Sequence, residues 1–371
     1  MNGRKLIINH KRVIFVAFLC LLAFGSIDIN AKVKEYHQKS VAVKSGKAVN
    51  FVKNRSYFHL HKYNYGHSHG YYSSKTYQKY PQKLLFKSGN FKQNGKTDFY
   101  LPVSRRKSAD MGNPQSITKS PDGHFAFIMY SNKVHGKNNG TSNIVRYDLW
   151  KLYKLKLNMN NMDAIRRGIK HNPKIRAAIK FGPKINVGHG QSLAYNPKNN
   201  TLWYILMGVN GHKATLVRAS LKTFSPIKKI HFKFSSSYNL SNELTFDKHG
   251  NMYTYIKYLP NKRSAGRIVI FKGKILGNRV HFNVIKQGIL NGPGFHTQGL
   301  GYNPKSNRLY FVSDGIISSI PIKKLGRLKP NDVHTTCFKT KREFEGIAFS
   351  KNGTGHILMN RGPELSKIIN F

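Results

Sequence analysis

The stretch Gln191-Ser-Leu-Ala-Tyr-Asn196-Pro197-Lys-Asn-Asn200-Thr-Leu-Trp203-Tyr-Ile carries the pattern of a β-hairpin. Apolar residues alternate up to Tyr195, as in a half-buried strand. Asn196-Pro197 then fixes a turn, because Asn bonds its own backbone and Pro presets φ. An aromatic-rich second strand follows. The same grammar recurs four times: Gln115 with the turn Pro121-Asp122-Gly123, Glu243 with Asp247-Lys-His-Gly250, Gln298 with Asn303-Pro304, and Glu345 with Ser350-Lys-Asn-Gly353. The starts are 76, 52, 55 and 47 residues apart. Such spacings suit four-stranded propeller blades of about 40–50 residues. The expectation is an all-β chain folded as a β-propeller, most simply five-bladed, with an open β-sandwich as the alternative.

Two details refine this reading. The long first spacing holds the amphipathic pieces Leu149–Leu157 and Met162–Lys180, which predict a helical insertion between the first two blades. The last repeat leaves only 27 residues, Glu345 to Phe371, enough for about three strands. A fourth is expected from the N-terminal side, near Asp98–Val103, closing the ring and hiding the sheet edges. The aromatic residues of the second strands (Phe125, Phe127, Trp203, Tyr204, Tyr253, Tyr255, Tyr310, Phe311) read as core, with a sugar-stacking platform as the other reading.

The chain of 371 residues carries 63 Lys+Arg against 14 Asp+Glu, a formal charge of +49. With 39% hydrophobic residues, 23 Phe and 20 Tyr, it can bury a core. That excludes a fully disordered chain and a polytopic membrane protein, and two cysteines exclude a disulfide scaffold. A charge this large calls for a polyanionic partner. Residues 1–31 have the layout of a secretory signal peptide: Arg4, Lys5, Lys11 and Arg12, an apolar run from Val13 to Phe24, then small and polar residues ending at Ala31. Cleavage removes four basic residues and one acid, leaving 59 against 13, or +46. An exported chain meets no nucleic acid. Its expected partners are the anionic cell-wall polymers or the membrane surface of Gram-positive bacteria, attraction to both being screened by salt. The expected location is extracellular and cell-wall associated.

Residues 32–97 hold 14 Lys+Arg, one acid, eight Tyr and five His without a lasting period. They predict a disordered basic linker, with residues 98–371 as the propeller domain. The pairs His59/His61 and His67/His69 are conceivable metal ligands, but no Cys or carboxylate joins them. Cys337 alone survives signal cleavage, and as a strand residue it reads as a buried inert thiol.

Gln115, Gln191, Glu243, Gln298 and Glu345 open their repeats in one register. In a propeller they would ring one mouth of the axial channel. Such a ring can bind a cation or glycan hydroxyls, or can satisfy backbone groups of neighbouring blades. His189 and His296 stand two residues before two of these Gln and share their side of the strand. With Glu243 and Glu345 they could form an acid–base or metal site. No nucleophile elbow, zinc-protease helix, phosphate loop or EF-hand is present. No catalytic residue is therefore assigned, neither a cofactor nor a metal ion is expected, and the balance leans away from an enzyme.

The sequence His189-Gly190-Gln191-Ser-Leu-Ala-Tyr195 before Trp203-Tyr-Ile, with the Glu and Gln repeats and the turn Asp247-Lys-His-Gly250-Asn-Met-Tyr, resembles helveticin-J-type proteins. These are the large class III bacteriocins of lactic acid bacteria and their extracellular relatives. The resemblance spans about residues 110–360. It implies a secreted antibacterial or envelope-associated protein, with no catalytic residue to carry over. The expected function is thus a cationic propeller that binds envelope polymers. A propeller hydrolase or lyase on an acidic polysaccharide, and a non-killing wall scaffold, are the alternatives.

Overall fold

The computed structural model describes residues 32–42, 50–56, 82–102, 112–131, 141–157, 164–207, 213–235, 243–258, 266–294, 296–360, 362–369 and 371. Each expected hairpin forms, and each extends into an antiparallel meander. The first joins Asn113–Lys119, Phe125–Ser131, Ile144–Asp148 and Ile179–Phe181. The second joins Ala194–Asn196, Thr201–Met207, Lys213–Ala219 and Pro226–Ser235. The third joins Thr245–Phe246, Met252–Tyr258, Arg267–Leu276 and Gln287–Leu290, with Arg279–Val284 also on Arg267–Leu276. The fourth joins Gly299–Asn303, Arg308–Ser313, Ile316–Pro321 and His334–Lys339. The fifth joins Glu343–Phe349, Gly355–Asn360, Glu364–Ile369 and Asn94–Tyr100. The hairpin turns need left-handed backbone, which Asn200 and Asn307 supply at φ 52°; Asn tolerates that region better than most side chains.

The opening strands touch one another in a circle. Asn113–Lys119 meets Ala194–Asn196, which meets Thr245–Phe246, then Gly299–Asn303, then Glu343–Phe349, which returns to Asn113–Lys119. Apolar clusters fill the junctions between neighbouring meanders. Phe127 and Met129 pack with Leu202 and Tyr204. Trp203 and Leu216 pack with Phe246 and Phe271. Tyr255 and Ile268 pack with Leu300 and Phe311. Tyr310 and Val312 pack with Ile347 and Ile357. Ile117 and Ile128 pack with Ala348 and Leu358. Sheets standing face to face around an axis, each buried on both faces, make an all-β, propeller-like fold. Phe127, Trp203, Tyr204, Tyr253, Tyr255, Tyr310 and Phe311 are buried core, and Phe125 is half-buried.

The N-terminal region differs from the expected linker. Lys34–Ala42 pairs in parallel with Pro226–Ser235, and Asn50–Lys53 in parallel with Gln287–Leu290. Lys83–Gly89 pairs with His334–Lys339. The compact unit accordingly begins at Lys34, not at residue 98. Composition misjudged these strands because the open edges of the meanders recruit them by backbone hydrogen bonds. Little apolar side chain is involved, Val52 and Leu84 being the fully buried examples. Residues 57–81, with His59, His61, His67 and His69, and residues 1–31, expected to be a signal peptide, lie outside the described residues. Among the described residues no helix is long and apolar enough to cross a membrane.

The helical excursion is also placed differently. The helices α1 (Leu149–Lys154), α2 (Ala164–His171) and α3 (Pro173–Ala177) lie inside the first meander, between its third and fourth strands, rather than between two blades. The fourth strand, Ile179-Lys180-Phe181, is too short to show a sequence period. Asp148 caps α1 by accepting from the Lys151 N–H, and Asn172 caps α3 ahead of Pro173. Leu149, Leu152, Ile165 and Ile175 bury against Ile128, Val145 and Phe99.

Asn94–Tyr100 completes the fifth meander as expected, pairing antiparallel with Glu364–Ile369. Thr97 Oγ1 donates to the buried Glu364 Oε2 at 2.9 Å, and Arg342 Nη1 lies 2.8 Å from Glu364 Oε1. Thr97→Val strips the carboxylate of one donor and should destabilise the fold by about 1–3 kcal/mol, read as a lower urea midpoint with an unchanged slope.

Candidate functional site

Counting back from each turn residue (Ser120, Asn196, Asp247, Asn303, Ser350) sorts the opening strands into tiers. Five residues back stand Gln115, Gln191, Gln298 and Glu345. Three back stand Ile117, Leu193, Leu244, Leu300 and Ile347. One back stand Lys119, Tyr195, Phe246, Tyr302 and Phe349. The period of two turns Ile117 and Lys119, Leu300 and Tyr302, and Ile347 and Phe349 toward one side of their strands, while Gln115 and Glu345 sit at β-bulges of theirs.

The Gln/Glu tier is a buried, hydrogen-bonded network. Gln115 Nε2 donates to Glu345 Oε1 at 3.2 Å, and Gln191 Nε2 donates to Gln298 Oε1 at 2.6 Å. Gln298 Nε2 reaches Asp314 Oδ1 at 3.3 Å, and Asn360 Nδ2 reaches Glu345 Oε1 at 3.2 Å. All four tier residues are buried. Burial pushes the Glu345 carboxyl well above its ordinary range, and the nearby Glu343 and Asp314 add to this.

Glu243 does not belong to the tier. It stands four residues before Asp247, where its counterparts stand five before their turn residues. It therefore occupies a different position relative to its turn. There it is buried near Tyr255, whose pKa is raised by burial and then by the Glu243 charge. His189 is half-buried and His296 exposed. Among the described residues neither joins Glu243 or Glu345 in a cluster of three metal-ligand atoms. The structure brings Gln115, Gln191, Gln298 and Glu345 together in one buried network. Cys337 is half-buried with a thiol pKa raised by burial, consistent with an inert group.

The open space lies beyond this network, toward the turns. A cavity of about 470 Å³ is lined by the aliphatic and aromatic tiers and rimmed by Pro121, Pro197, Lys248, Pro304 and Lys351. Among the described residues no carboxylate lines it, whereas Lys119, Lys248 and Lys351 do. Tyr195 and Tyr302 are held alike, each hydroxyl donating to an Asn at the far side of its hairpin turn: Asn200 at 3.2 Å and Asn307 at 3.0 Å.

Lys119 stands where the other repeats carry an aromatic ring, and it ends a buried polar chain. Its Nζ lies 3.2 Å from His356 Nδ1, His356 Nε2 lies 2.8 Å from Asp98 Oδ2, and the Tyr153 hydroxyl donates to the same oxygen at 2.6 Å. Burial, helped by the Lys119 charge, holds the His356 pKa below the usual imidazole range. The ring is then neutral at pH 7, accepting from the Lys119 ammonium and donating to Asp98. Burial opposes ionisation of Asp98, but the His356 hydrogen bond prevails and lowers its pKa. Burial brings Lys119 down to about 8. Sequence reading missed Lys119, His356 and Asp98. The available signal was Lys119 breaking the aromatic tier; nothing local marked the other two.

No protein-family model matches this chain, and no curated protein matches it. Among solved structures it is similar to a glucose dehydrogenase, at TM-score 0.35 and 12% identity over 78% of this chain and 96% of that one. It is similar to the apo soluble aldose sugar dehydrogenase of Escherichia coli, at TM-score 0.34 and 10% identity over 71% and 97%. It is also similar to a GH43 β-1,3-galactosidase bound to galactodeoxynojirimycin, at TM-score 0.34 and 9% identity over 71% and 84%.

Two stability tests follow from these groups. Glu345 keeps its proton in the folded chain to higher pH than in the unfolded chain, so its ionisation erodes stability as pH rises above 4.5. Glu345→Gln should therefore raise the melting temperature at pH 7.5, with the gain shrinking toward pH 4.5. Lys119 has the opposite sign: between about pH 8 and 10.5 the unfolded chain holds the proton that the folded chain has lost, so stability rises with pH. Urea melts should show a shallower rise over that window in Lys119→Met.

Proposed function

We propose that this chain is a secreted, strongly cationic five-bladed β-propeller that binds anionic polymers of the Gram-positive cell envelope through its axial cavity. In this reading it acts as a helveticin-J-like bacteriocin on related bacteria. The observation that carries the reading is the cavity itself: aliphatic and aromatic walls, three lysines and, among the described residues, no lining carboxylate, on a chain of charge +49. Apolar walls accept the body of a sugar or polyol unit, while the lysines select its anionic group. The overall charge concentrates the protein on the envelope before that contact forms. The circle of opening strands supports counting each meander as one blade, with the helices carried as an insertion within the first blade. The charged and apolar layout of residues 1–31 supports export.

A second reading has its own observation. A lysine with a pKa near 8, bridged by His356 to Asp98 on the cavity wall, is an acid–base array suited to a hydrolase or lyase acting on an acidic polysaccharide. The axial array, rather than Glu243 or His296, would then carry the chemistry.

The test is co-sedimentation of the protein with purified Gram-positive walls, before and after the anionic polymers are stripped, with cell viability and released saccharide scored in parallel. Binding should fall at least tenfold on stripping, in several-fold higher salt, and in Lys248→Ala/Lys351→Ala at unchanged melting temperature. Undiminished binding by the double variant would remove the cavity from the reading. Binding without loss of viability would favour a wall scaffold over a bacteriocin, and saccharide release lost in Lys119→Met would favour the enzyme.

A further inference from the structure

The outer edge of the second meander holds a second cluster of chemically active groups, remote in sequence from the axial tiers. Lys34–Ala42 runs parallel to Pro226–Ser235, with His37 opposite His231 and Glu35 opposite Lys229. Glu35 and His37 are two residues apart on a strand and share one face. The two imidazole rings stack with centroids 4.6 Å apart and planes 11° from parallel. His231 Nε2 lies 3.1 Å from Glu35 Oε2, and one ligand atom from each of Glu35, His37 and His231 lies within 4.8 Å of the others.

We propose that Glu35, His37 and His231 form a site for a divalent transition-metal ion of the zinc type, and that the ion clips the N-terminal strand onto the meander. Two imidazole nitrogens and one carboxylate oxygen are a common ligand set for zinc, leaving a fourth position for water or an anion. Thr215 Oγ1 lies 3.0 Å from His231 Nδ1 and fixes the ring. A hydroxyl can accept the Nδ1 proton as readily as donate one, so Nε2 is available to the metal. Lys229 Nζ holds Glu35 Oε1 at 2.7 Å, which leaves Oε2 toward His231. Glu35 and His37 are exposed and His231 half-buried, so an ion can reach them, and small rotations of the two exposed side chains draw the ligand atoms inward. The adjoining cavity of about 460 Å³ is lined by both histidines, Lys213 and Lys233, positive groups that suit an anion in the fourth position. Two ligands come from the edge strand and one from the meander. Binding the ion therefore favours the paired state by linkage.

The test is titration of the full chain with zinc chloride by calorimetry, with hydrogen exchange followed at the amides of residues 35–38. His59, His61, His67 and His69 are changed to Ser throughout, so that they add no competing site. One zinc per chain is expected, with exchange at residues 35–38 slowed at least tenfold by the metal. His231→Gln, which keeps a side-chain amide near Thr215, and the exposed-edge variant His37→Ala should each lose at least tenfold in affinity and lose the metal-dependent protection. Failure to take up zinc, or uptake unchanged in both variants, would overturn the site. Triad-dependent uptake with no effect on exchange would overturn the clip.

Discussion

The backbone pairing of Asn94–Tyr100 with Glu364–Ile369 is the constraint on which the rest of this molecule depends. Without it the fifth meander would present an open edge, and the fourth and fifth would lose the link that Lys83–Gly89 makes to the same strand. The pairing also carries chemistry. Thr97 and Asp98 sit side by side on this strand. Thr97 ties into the buried Glu364–Arg342 pair, and Asp98 reaches the opposite side of the strand to anchor His356 and, through it, Lys119. Ring closure and assembly of the axial polar chain are thus one event.

The axial residues change character along their strands. Amides and one carboxyl at the first tier hydrogen-bond among themselves. Aliphatic residues at the second tier, with rings and one lysine at the third, line a cavity facing the turns. A buried carboxyl among amides is costly when ionised, so the network is most comfortable with Glu345 protonated. Beside the cavity the burden is reversed: Lys119 is desolvated, and the nearby Asp98 charge offsets part of that cost.

Much of the strand architecture was legible because it is written locally. Asn196-Pro197, Asn303-Pro304 and the Gly-containing turns specify hairpins by their own φ preferences, and alternation specifies which residues face inward. Glu243 stands one residue nearer its turn than its counterparts, a shift that alignment by the polar residue hides and alignment by the turn reveals. The N-terminal strands were missed for a different reason. Edge pairing is made by backbone groups, so Lys34–Ala42 carries almost no apolar pattern to read.

The sequence by itself determined the hairpins, the repeat and the overwhelming positive charge, since each depends on residue identity over a few positions or on a simple count. The tertiary structure alone decided where the axial cavity lies, where the helices attach, and which ionisable groups meet. His356 and Asp98 are 258 residues apart, and Glu35 and His231 are 196 apart. Contacts at such separations are set by ring closure and by the pairing of distant edges, and no local propensity encodes them.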